Sequence, residues 1–426
     1  MQRLAEHLRP VSRLYAQSAY RRLVWMNLLL GFAMSFVQPF MSMFGTIEAK
    51  MSLAAFGAFM TCNALAGIAI ATTLAHYSDT RMSRRTVLLA GSVAGALGYA
   101  GYAYFRGFWP LLFVGTVVLG VSSITFSQLF AYARELLAES NVPAAENAFY
   151  INFFRMFIAL AWTVGPAIAA AVMIRFSYRG LFLGAALNFA LLAAVVWFSV
   201  PANPPRKPRT HAGPSASLLR LFARGDLLAH FAAFVLITAS TTIGMMNLPL
   251  LITDVLRGTA ADVGTAYSVA PIFELPFMLL FGWLATRYPA ERIIRVGMVF
   301  SLAYYLSLTL ATSPWHVYLA QSLSAAATAV ISGVAITYFQ SHLPHHPGTA
   351  TNLYANATRI GSTAGYFLFS VLAWRFGYRA VFDACELFAI VALGLMLVPV
   401  AHRPEPIAEA ALETAGARPK RETIGQ

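Results

Sequence analysis

The chain has 426 residues, of which 58% are hydrophobic and 11% are charged, and its formal net charge is +13. Soluble domains carry about 25% charged residues, and a soluble globule could not bury so much apolar surface, so the composition indicates that lipid surrounds much of the chain. The basic residues lie at the ends of apolar segments, which argues against nucleic-acid binding. Cys62 and Cys385 lie inside apolar runs, which argues against a disulfide framework or a zinc site.

Twelve apolar stretches recur along the chain between short polar breaks, and each is near the ~20 residues that a helix needs to cross a bilayer. The predicted helices cover residues 22–45, 54–77, 85–105, 110–133, 148–174, 179–199, 227–252, 262–286, 292–311, 315–340, 349–374 and 379–400. The first begins only after Arg21 and Arg22 and is long enough to span, so we expect it to be retained and not cleaved as a signal peptide. The pattern predicts an all-α integral membrane protein.

A polar, proline-rich segment divides the helices into two groups of six. We therefore expect an N-terminal six-helix bundle at 1–199, a cytoplasmic linker at 200–226 and a C-terminal six-helix bundle at 227–400. The remaining residues, 401–426, are polar and rich in Ala and Glu, which predicts a disordered cytoplasmic tail.

The distribution of basic residues predicts the orientation in the membrane. With both termini in the cytoplasm, roughly 21 of the 30 Lys and Arg residues lie on that side and roughly 7 on the other. Cytoplasmic loops carry an excess of Lys and Arg, so we expect a multi-pass protein of the inner or plasma membrane with both termini inside. The two basic residues left over, Arg155 and Arg359, fall within apolar segments.

The two groups of helices repeat part of their sequence at a constant offset of 204. The matched residues are Tyr150, Asn152 and Arg155 in predicted helix 5 and Tyr354, Asn356 and Arg359 in predicted helix 11. Twelve helices, a central loop and parallel six-helix repeats are typical of the major facilitator fold, in which two pseudo-symmetric bundles hold the substrate between them near the bilayer midplane.

Glu274 lies near the middle of predicted helix 8, two residues before Pro276. An ionisable group inside a membrane helix costs about 2.5–3.5 kcal/mol on insertion scales, so it requires a physical reason. A carboxyl group in apolar surroundings can exchange a proton near neutral pH. We predict that Glu274 couples protons to transport or binds substrate; the alternative is a structural partner for an arginine or a hydroxyl.

Two arginines also lie within membrane helices. Arg155 either binds substrate or a carboxylate, or holds helix 5 against its neighbour by pairing with the helix 8 carboxylate. Arg359 belongs to a polar stripe with Asn352, Asn356 and Thr363, at spacings of four, three and four along helix 11. Such a stripe cannot face lipid, so it faces a cavity or another helix. We predict that Arg155, Asn352, Asn356 and Arg359 contribute to substrate binding.

Neutral amides complete the candidate binding set. They are Gln38, Asn63, Gln128, Asn247 and Gln340, in predicted helices 1, 2, 4, 7 and 10. Amides supply donors and acceptors that suit hydroxyl-rich substrates, although each one alone is as well explained by a hydrogen bond between helices. Together they predict a polar cavity.

Two motifs indicate gating. The turn after helix 2 carries Asp79 and then Arg84 and Arg85. It resembles the signature loop of the major facilitator superfamily, in which an acid and arginines form a charge-relay latch between helices. The alternative is that these arginines only anchor the loop on the cytoplasmic side by their positive charge. Gly165 and Pro166 in helix 5 resemble the antiporter motif of that superfamily, because Gly permits close helix approach and Pro bends the helix. This second motif favours export.

From helix 1 to helix 12 the chain is similar to the sugar efflux transporter (SET) family of the major facilitator superfamily. The resemblance rests on Gln38-Pro39, Asn63-Ala64-Leu65-Ala66-Gly67-Ile68, Ser78-Asp79 with Arg84-Arg85, Gln128-Leu129-Phe130-Ala131, Ala133-Arg134-Glu135, Arg155, Leu160-Ala161-Trp162 with Gly165-Pro166, Pro249-Leu250, Glu274 with Pro276, and Phe339-Gln340. It implies export of sugars and glycosides from the bacterial cytoplasm across the inner membrane against proton entry. Asn247 stands where better-known members have an acid, Arg359 replaces a small polar residue and Glu386 is an addition, which leaves the substrate open.

These observations predict a secondary active exporter of sugars or sugar-like small polar molecules that works by alternating access with proton antiport. Its partners would be a small-molecule substrate, protons and the lipid bilayer, without nucleic acid, cofactor or metal, and we expect a monomer. Pro344 and Pro347 interrupt the run of His342, His345 and His346, which argues against a metal site there.

Four alternatives remain. A multidrug/proton antiporter would have a more apolar cavity and would bind lipophilic cations at Glu274. An uptake symporter is disfavoured by the antiporter motif. A membrane-embedded enzyme would need a nucleophile with its base, or spaced metal ligands, which the helices do not offer. A non-transporting sensor would usually carry an extra soluble domain, and the longest polar segment is too short for one.

Overall fold

The computed structural model describes residues 18–139, 147–202, 225–343 and 347–399, with only the backbone described for 75–81, 147–149, 151–152 and 347. The described residues form twelve helical segments and no strand, which confirms the predicted all-α membrane fold. The segments are α1 Ser18–Glu48, α2 Leu53–Arg81, α3 Arg84–Tyr104, α4 Phe108–Glu139, α5 147–176, α6 178–199, α7 Gly225–Val255, α8 Ala260–Leu284, α9 Ala290–Thr309, α10 Pro314–His342, α11 347–376 and α12 378–395.

Most of these helices are membrane-spanning by their own length and composition. Eight stretches of the described chain qualify, one of which covers both α5 and α6. The helices α9, α11 and α12 are not among the eight. Polar residues lower their mean hydropathy, for example Glu291 and Arg292 at the start of α9 and Arg359 in α11.

Consecutive helices alternate in direction because short turns join them. We call the end of the molecule where Ser199 and Gly225 lie the linker end, and the opposite end, with Lys50 and Arg257, the distal end. The N half comprises α1–α6 and the C half α7–α12. Most of the predicted linker, and the predicted tail at 401–426, lie outside the described residues.

The helices α1 and α7 end alike at the distal end, which extends the internal repeat to the backbone. Each finishes in a π-turn, Phe44–Glu48 in α1 and Leu251–Val255 in α7. Two residues later Lys50 and Arg257 adopt positive φ angles of 51° and 58°. The amide of the next residue bonds back to the second residue of the π-turn, at 2.9 Å in α1 and 2.8 Å in α7. The left-handed residue thus closes the helix end by satisfying an otherwise unpaired carbonyl.

A second pair of equivalent features lies between α5 and α6 and between α11 and α12. Ser177 (φ 56°, ψ −168°) breaks the first pair of helices and Gly377 (φ 80°, ψ 165°) the second. Both breaks fall in the sequence Arg-Phe-x-Tyr-Arg, at 175–179 and 375–379. This φ/ψ region is essentially confined to glycine, so the N half keeps the break at a steric cost that the C half avoids.

These breaks correct the register of the internal repeat. The helices α5 and α11 begin at 147 and 347 and break at 177 and 377, so the structure relates them by an offset of 200, whereas the matched sequence predicts 204. The prediction was wrong because polar residues spaced along a helix can match after a shift of about one turn. Arg155 therefore lies about one turn nearer the linker end than Arg359.

Small residues allow close packing of the first and fifth helices of each half. A Cβ atom on Gly31 of α1 would lie 2.7 Å from the Cβ of Ala161 in α5, and a Cβ on Gly361 of α11 would lie 2.5 Å from the carbonyl oxygen of Val235 in α7. Membrane helices associate by such packing because lipid offers no hydrophobic driving force between them. The equivalent contacts make each half a tightly packed unit.

Candidate functional site

The two halves touch near the distal end where α2 meets α11. A Cβ atom on Gly57 would lie 2.0 Å from the hydroxyl oxygen of Ser370, so the absence of a side chain at Gly57 is what permits this contact. The rings of Phe56 and Phe369 meet edge to face beside it, with centroids 6.2 Å apart. This arrangement is favourable for aromatic pairs.

The halves also touch near the distal end where α5 meets α8. A Cβ atom on Gly264 would lie 2.7 Å from the carbonyl oxygen of Pro166. One residue further, the amide of Ala167 donates a hydrogen bond to the hydroxyl of Ser268 at 3.2 Å. We call these two contacts, α2 with α11 at Gly57 and α5 with α8 at Gly264, the distal seams. Each of them includes a glycine whose lack of a side chain permits the close approach.

A cleft of about 410 Å³ separates α2 from α11 on the linker side of the Gly57 contact. The lining residues are Met60, Asn63, Ala64 and Ile68 from α2, and Thr358, Arg359, Ser362, Thr363 and Tyr366 from α11. Since α2 runs away from the distal end and α11 runs towards it, the cleft begins where the contact ends. The two halves are thus in contact at the distal end and separated on the linker side of that contact.

A second cavity of about 190 Å³, which we call the inner cavity, continues from this cleft towards α1, α3 and α4. The two spaces share Met60, Asn63 and Tyr366. The polar residues of the second cavity are Gln38, Asn63, Tyr99, Tyr102, Ser123 and Tyr366, and its apolar residues include Val37, Met41, Leu119 and Met246. The lining comes from both halves, as expected for a site between two bundles.

A π-turn in α4 makes room for the polar groups of this cavity. Within Val114–Val118, a Cβ atom on Gly115 would lie 2.4 Å from both the side-chain oxygen of Asn63 and the hydroxyl of Tyr102. The Asn63 oxygen is buried and has no hydrogen-bond partner among the described residues. π-turns are frequent at functional sites, and an unpaired buried acceptor is costly unless a ligand satisfies it.

The half-buried Glu274 lies in α8 between Pro271 and Pro276. Arg155 is close enough to interact with it electrostatically, and it also acts on Tyr354 of α11. Within the described residues neither Glu274 nor Arg155 forms an ion pair in direct contact. The structure therefore places Arg155 of α5 and Glu274 of α8 near each other, as the sequence suggested, but without a direct ion pair.

Three of the candidate amides bond elsewhere in the protein. Gln128 accepts a hydrogen bond from Arg84, the fully buried Asn247 donates to the carbonyl of Tyr378 at 2.6 Å, and Gln340 donates to Thr351 at 3.2 Å. None of them lines either cavity. Gln38 and Asn63 are the two candidate amides that the cavities contain.

The remaining candidates of α11 lie nearer the linker end. Asn352 is exposed and Asn356 is half-buried, and neither lines the two cavities described. Arg359 lies in the cleft, and its side chain is exposed. The predicted polar stripe therefore extends from the cleft towards the linker end.

The predicted gating residues lie at two levels. At the linker end Arg84 pairs with Glu135 of α4 at 2.9 Å, and the guanidinium of Arg85 stacks 4.3 Å above the ring of Trp197 in α6. The side chain of Asp79 lies outside the described residues. Nearer the distal end, Gly165 packs on α1, where a Cβ atom would lie 1.9 Å from the hydroxyl of Ser35; its neighbour Pro166 forms the α5–α8 seam described above.

Sequence reasoning missed the tyrosines of the site. Tyr99 and Tyr102 of α3 and Tyr366 of α11 line the inner cavity with Ser123 of α4. Tyr99 and Tyr102 are three residues apart and share a helix face. Membrane tyrosines usually lie in the interfacial belts, and the position of these two near the distal end of α3 fits that reading, so the sequence alone did not mark them as cavity residues.

Comparison with known proteins agrees with this architecture. The family model described as Major Facilitator Superfamily matches residues 23–365 and 229–423. The solved structure of the nucleoside transporter NupG superimposes with a TM-score of 0.76 at 14% sequence identity, covering 89% of this chain and 98% of that one. At this identity the likeness shows the fold alone.

Two relatives are similar over nearly their whole length. A protein of Deinococcus radiodurans named as a sugar efflux transporter is 34% identical over 372 residues, which cover 87% of this chain and 95% of that protein. Sugar efflux transporter A of Dickeya chrysanthemi is 32% identical over 354 residues, which cover 83% of this chain and 88% of that protein. The chain is thus a multi-pass membrane transporter that belongs to the Major Facilitator Superfamily and, within it, to the sugar efflux transporter family.

Proposed function

We propose that the protein exports sugars or sugar-like small polar molecules by alternating access, in exchange for protons. The observation that carries this proposal is the cavity between the halves, where amides, hydroxyls and aromatic rings converge on one space. Amides and hydroxyls donate and accept hydrogen bonds, as a polyhydroxylated ligand requires. Asn63 lines both this cavity and the cleft, and its amide is suited to bond a sugar hydroxyl.

The orientation rests on the distribution of basic residues. Arg84 and Arg85 at the linker end belong to the basic-rich side, and such sides face the cytoplasm. We place the protein in the bacterial inner membrane as a monomer with both termini in the cytoplasm. The cleft then opens to the cytoplasm, where an exporter loads its substrate.

Glu274 is the residue proposed to carry the proton. It is a half-buried carboxylate within a membrane helix, and Arg155 acts on it from the other half without a direct ion pair. Protonation removes the attraction between the two helices, so it favours one arrangement of the halves over the other. A ligand or proton drives a transition only through such a difference between states.

The test uses purified protein in liposomes that contain a pH-sensitive dye. Glucose added outside should raise the luminal pH in wild type, because protons leave as sugar enters. In Glu274→Gln this proton flux should be lost, whereas exchange of radiolabelled for unlabelled glucose should continue, since exchange needs no net proton movement. Glu386→Gln serves as the matched control, because Glu386 is likewise a half-buried carboxylate of a membrane helix but lies in α12 and, unlike Glu274 of α8, not beside Arg155. Proton flux retained in Glu274→Gln would refute the proton role.

A multidrug/proton antiporter is the second candidate, and one observation favours it. Met41, Met60 and Met246 contribute adaptable thioether side chains to the cavity, and methionine is common at promiscuous binding surfaces. The same liposomes distinguish the two. Proton flux that follows addition of lipophilic cations, but not addition of any sugar, would assign the protein to the multidrug class.

A further inference from the structure

Arg359 is the charged residue that lines the cleft between α2 and α11, and its lining contains no carboxylate. The side chain is exposed to this space. Among the described residues it has no hydrogen bond and no ion pair. Ionisable side chains of membrane helices that face a cavity mark substrate or ion pathways, so this guanidinium is a candidate binding group.

The groups around Arg359 are suited to an anion. Ser362 and Thr363 follow it at three and four residues along α11, so their hydroxyls share its face, and all three line the cleft. Asn63 lines the opposite wall from α2. A guanidinium together with hydroxyl and amide donors is a frequent arrangement for binding carboxylate and phosphate groups. Hydrogen bonds between charged groups are stronger than those between neutral groups.

Among the described residues no carboxylate lies within ion-pair distance of Arg359. Glu274 is the carboxylate of α8 and lies in the field of Arg155. Arg155 in turn lies about one turn nearer the linker end than Arg359 on the equivalent helix, as the breaks at Ser177 and Gly377 show. The positive charge of Arg359 therefore remains uncompensated at the level of the cleft.

The neutral part of the site continues from this point. Arg359 and Tyr366 are seven residues apart on α11, which corresponds to roughly 10 Å along the helix axis. Tyr366 and Asn63 belong to both the cleft and the inner cavity. When the hydroxylated ring of a ligand lies in the inner cavity, a charged substituent on that ring can thus reach Arg359.

We propose that the sugars carried by this protein are anionic, with a carboxylate or phosphate group bound by Arg359, Ser362 and Thr363 and the ring held at Asn63 and Tyr366. This inference rests on the proposed transport of sugars and names their class. Arg359 is then the specificity-determining residue, because it favours an acidic sugar over a neutral one of the same size.

The experiment measures binding by calorimetry to the full-length protein in lipid nanodiscs, with glucose, glucuronate and glucose 6-phosphate as probes. Wild type should bind at least one of the two acidic sugars about tenfold more tightly than glucose, and the preference should shrink as salt is added. The acidic sugar that is preferred identifies carboxylate or phosphate as the bound group.

Variants at Arg359 separate anion recognition from a structural role. Arg359→Gln should weaken binding of the acidic sugar about tenfold more than binding of glucose, and Arg359→Lys should retain part of the preference because it keeps the charge. Arg375→Gln is the matched control on the same helix, since Arg375 is exposed near the distal end and outside the cleft. The thermal unfolding temperature of each variant confirms that it is folded.

The outcomes are distinct. Equal binding of neutral and acidic sugars by wild type, or equal loss of both in Arg359→Gln with Arg359→Lys no better, overturns this inference and leaves the proposed sugar transport standing. Binding of none of the three sugars by folded wild type overturns both.

Discussion

Gly115 shows how one residue without a side chain positions two polar groups. The Asn63 amide and the Tyr102 hydroxyl occupy the space where its Cβ atom would be. In Gly115→Ala we expect both groups to be displaced, with a roughly tenfold loss of sugar affinity and a packing cost of about 1–3 kcal/mol. Binding calorimetry and thermal unfolding measure the two effects.

The control for this substitution is Gly333→Ala in α10, where a Cβ atom would meet no atom within 4 Å. It should leave affinity unchanged and stabilise the helix slightly, because alanine is a better helix former than glycine by about 1 kcal/mol. Unchanged affinity in Gly115→Ala would show that Asn63 and Tyr102 do not bind the sugar.

At the scale of elements, the two helix breaks make a natural comparison. Ser177 and Gly377 are equivalent residues with the same unusual backbone angles, but only the C half has the glycine that tolerates them. Such strain costs of order 1–3 kcal/mol, so Ser177→Gly should stabilise the protein by about 1 kcal/mol once the greater freedom of glycine in the unfolded chain is included. Gly377→Ser should destabilise it by a similar amount.

Thermal unfolding in detergent checks the sign, with all variants heated at one rate because unfolding of such proteins is generally irreversible. Ser177 is exposed, so the substitution removes few contacts. A lower unfolding temperature for Ser177→Gly would mean that its backbone conformation is not strained.

The elements were more predictable than the site. Helices could be located because apolar runs of spanning length are a strong signal, and the polar residues between them placed their ends closely. The register of the repeat could not be read from Tyr150 and Arg155 alone, because a shift of one turn preserves a polar pattern. Gln128 and Asn247 were indistinguishable from Asn63 in sequence, since an amide that bonds another helix and an amide that faces a cavity differ only in their neighbours.

At the scale of the whole molecule, the described arrangement depends on the distal seams. In Gly264→Leu the new side chain would clash with Pro166 and Ala170, and overpacking of about 1–3 kcal/mol would shift the population away from the state with a closed distal end. We expect the cleft to become less accessible from the linker end.

A cysteine in the cleft reports this change. In a Cys62→Ser background, Thr363→Cys should react with a maleimide severalfold more slowly after Gly264→Leu than before it. Gly282→Leu on the same helix is the control, because a Cβ atom there meets nothing within 4 Å. Equal labelling rates in the Gly264→Leu and Gly282→Leu proteins would show that the seam does not set the conformation.

The composition of these seams has a consequence for how the protein rests between transport steps. Among the described residues no ion pair crosses between the halves, and the seams consist of atoms in contact with one hydrogen bond beside them. A gap of about 0.5–1 Å already removes roughly a quarter to a half of the dispersion attraction, so the attraction at these seams weakens steeply once the halves begin to separate. The closed distal end therefore depends on the close fit of uncharged surfaces, and dissolved salt, which screens charges, has little to act on at this end.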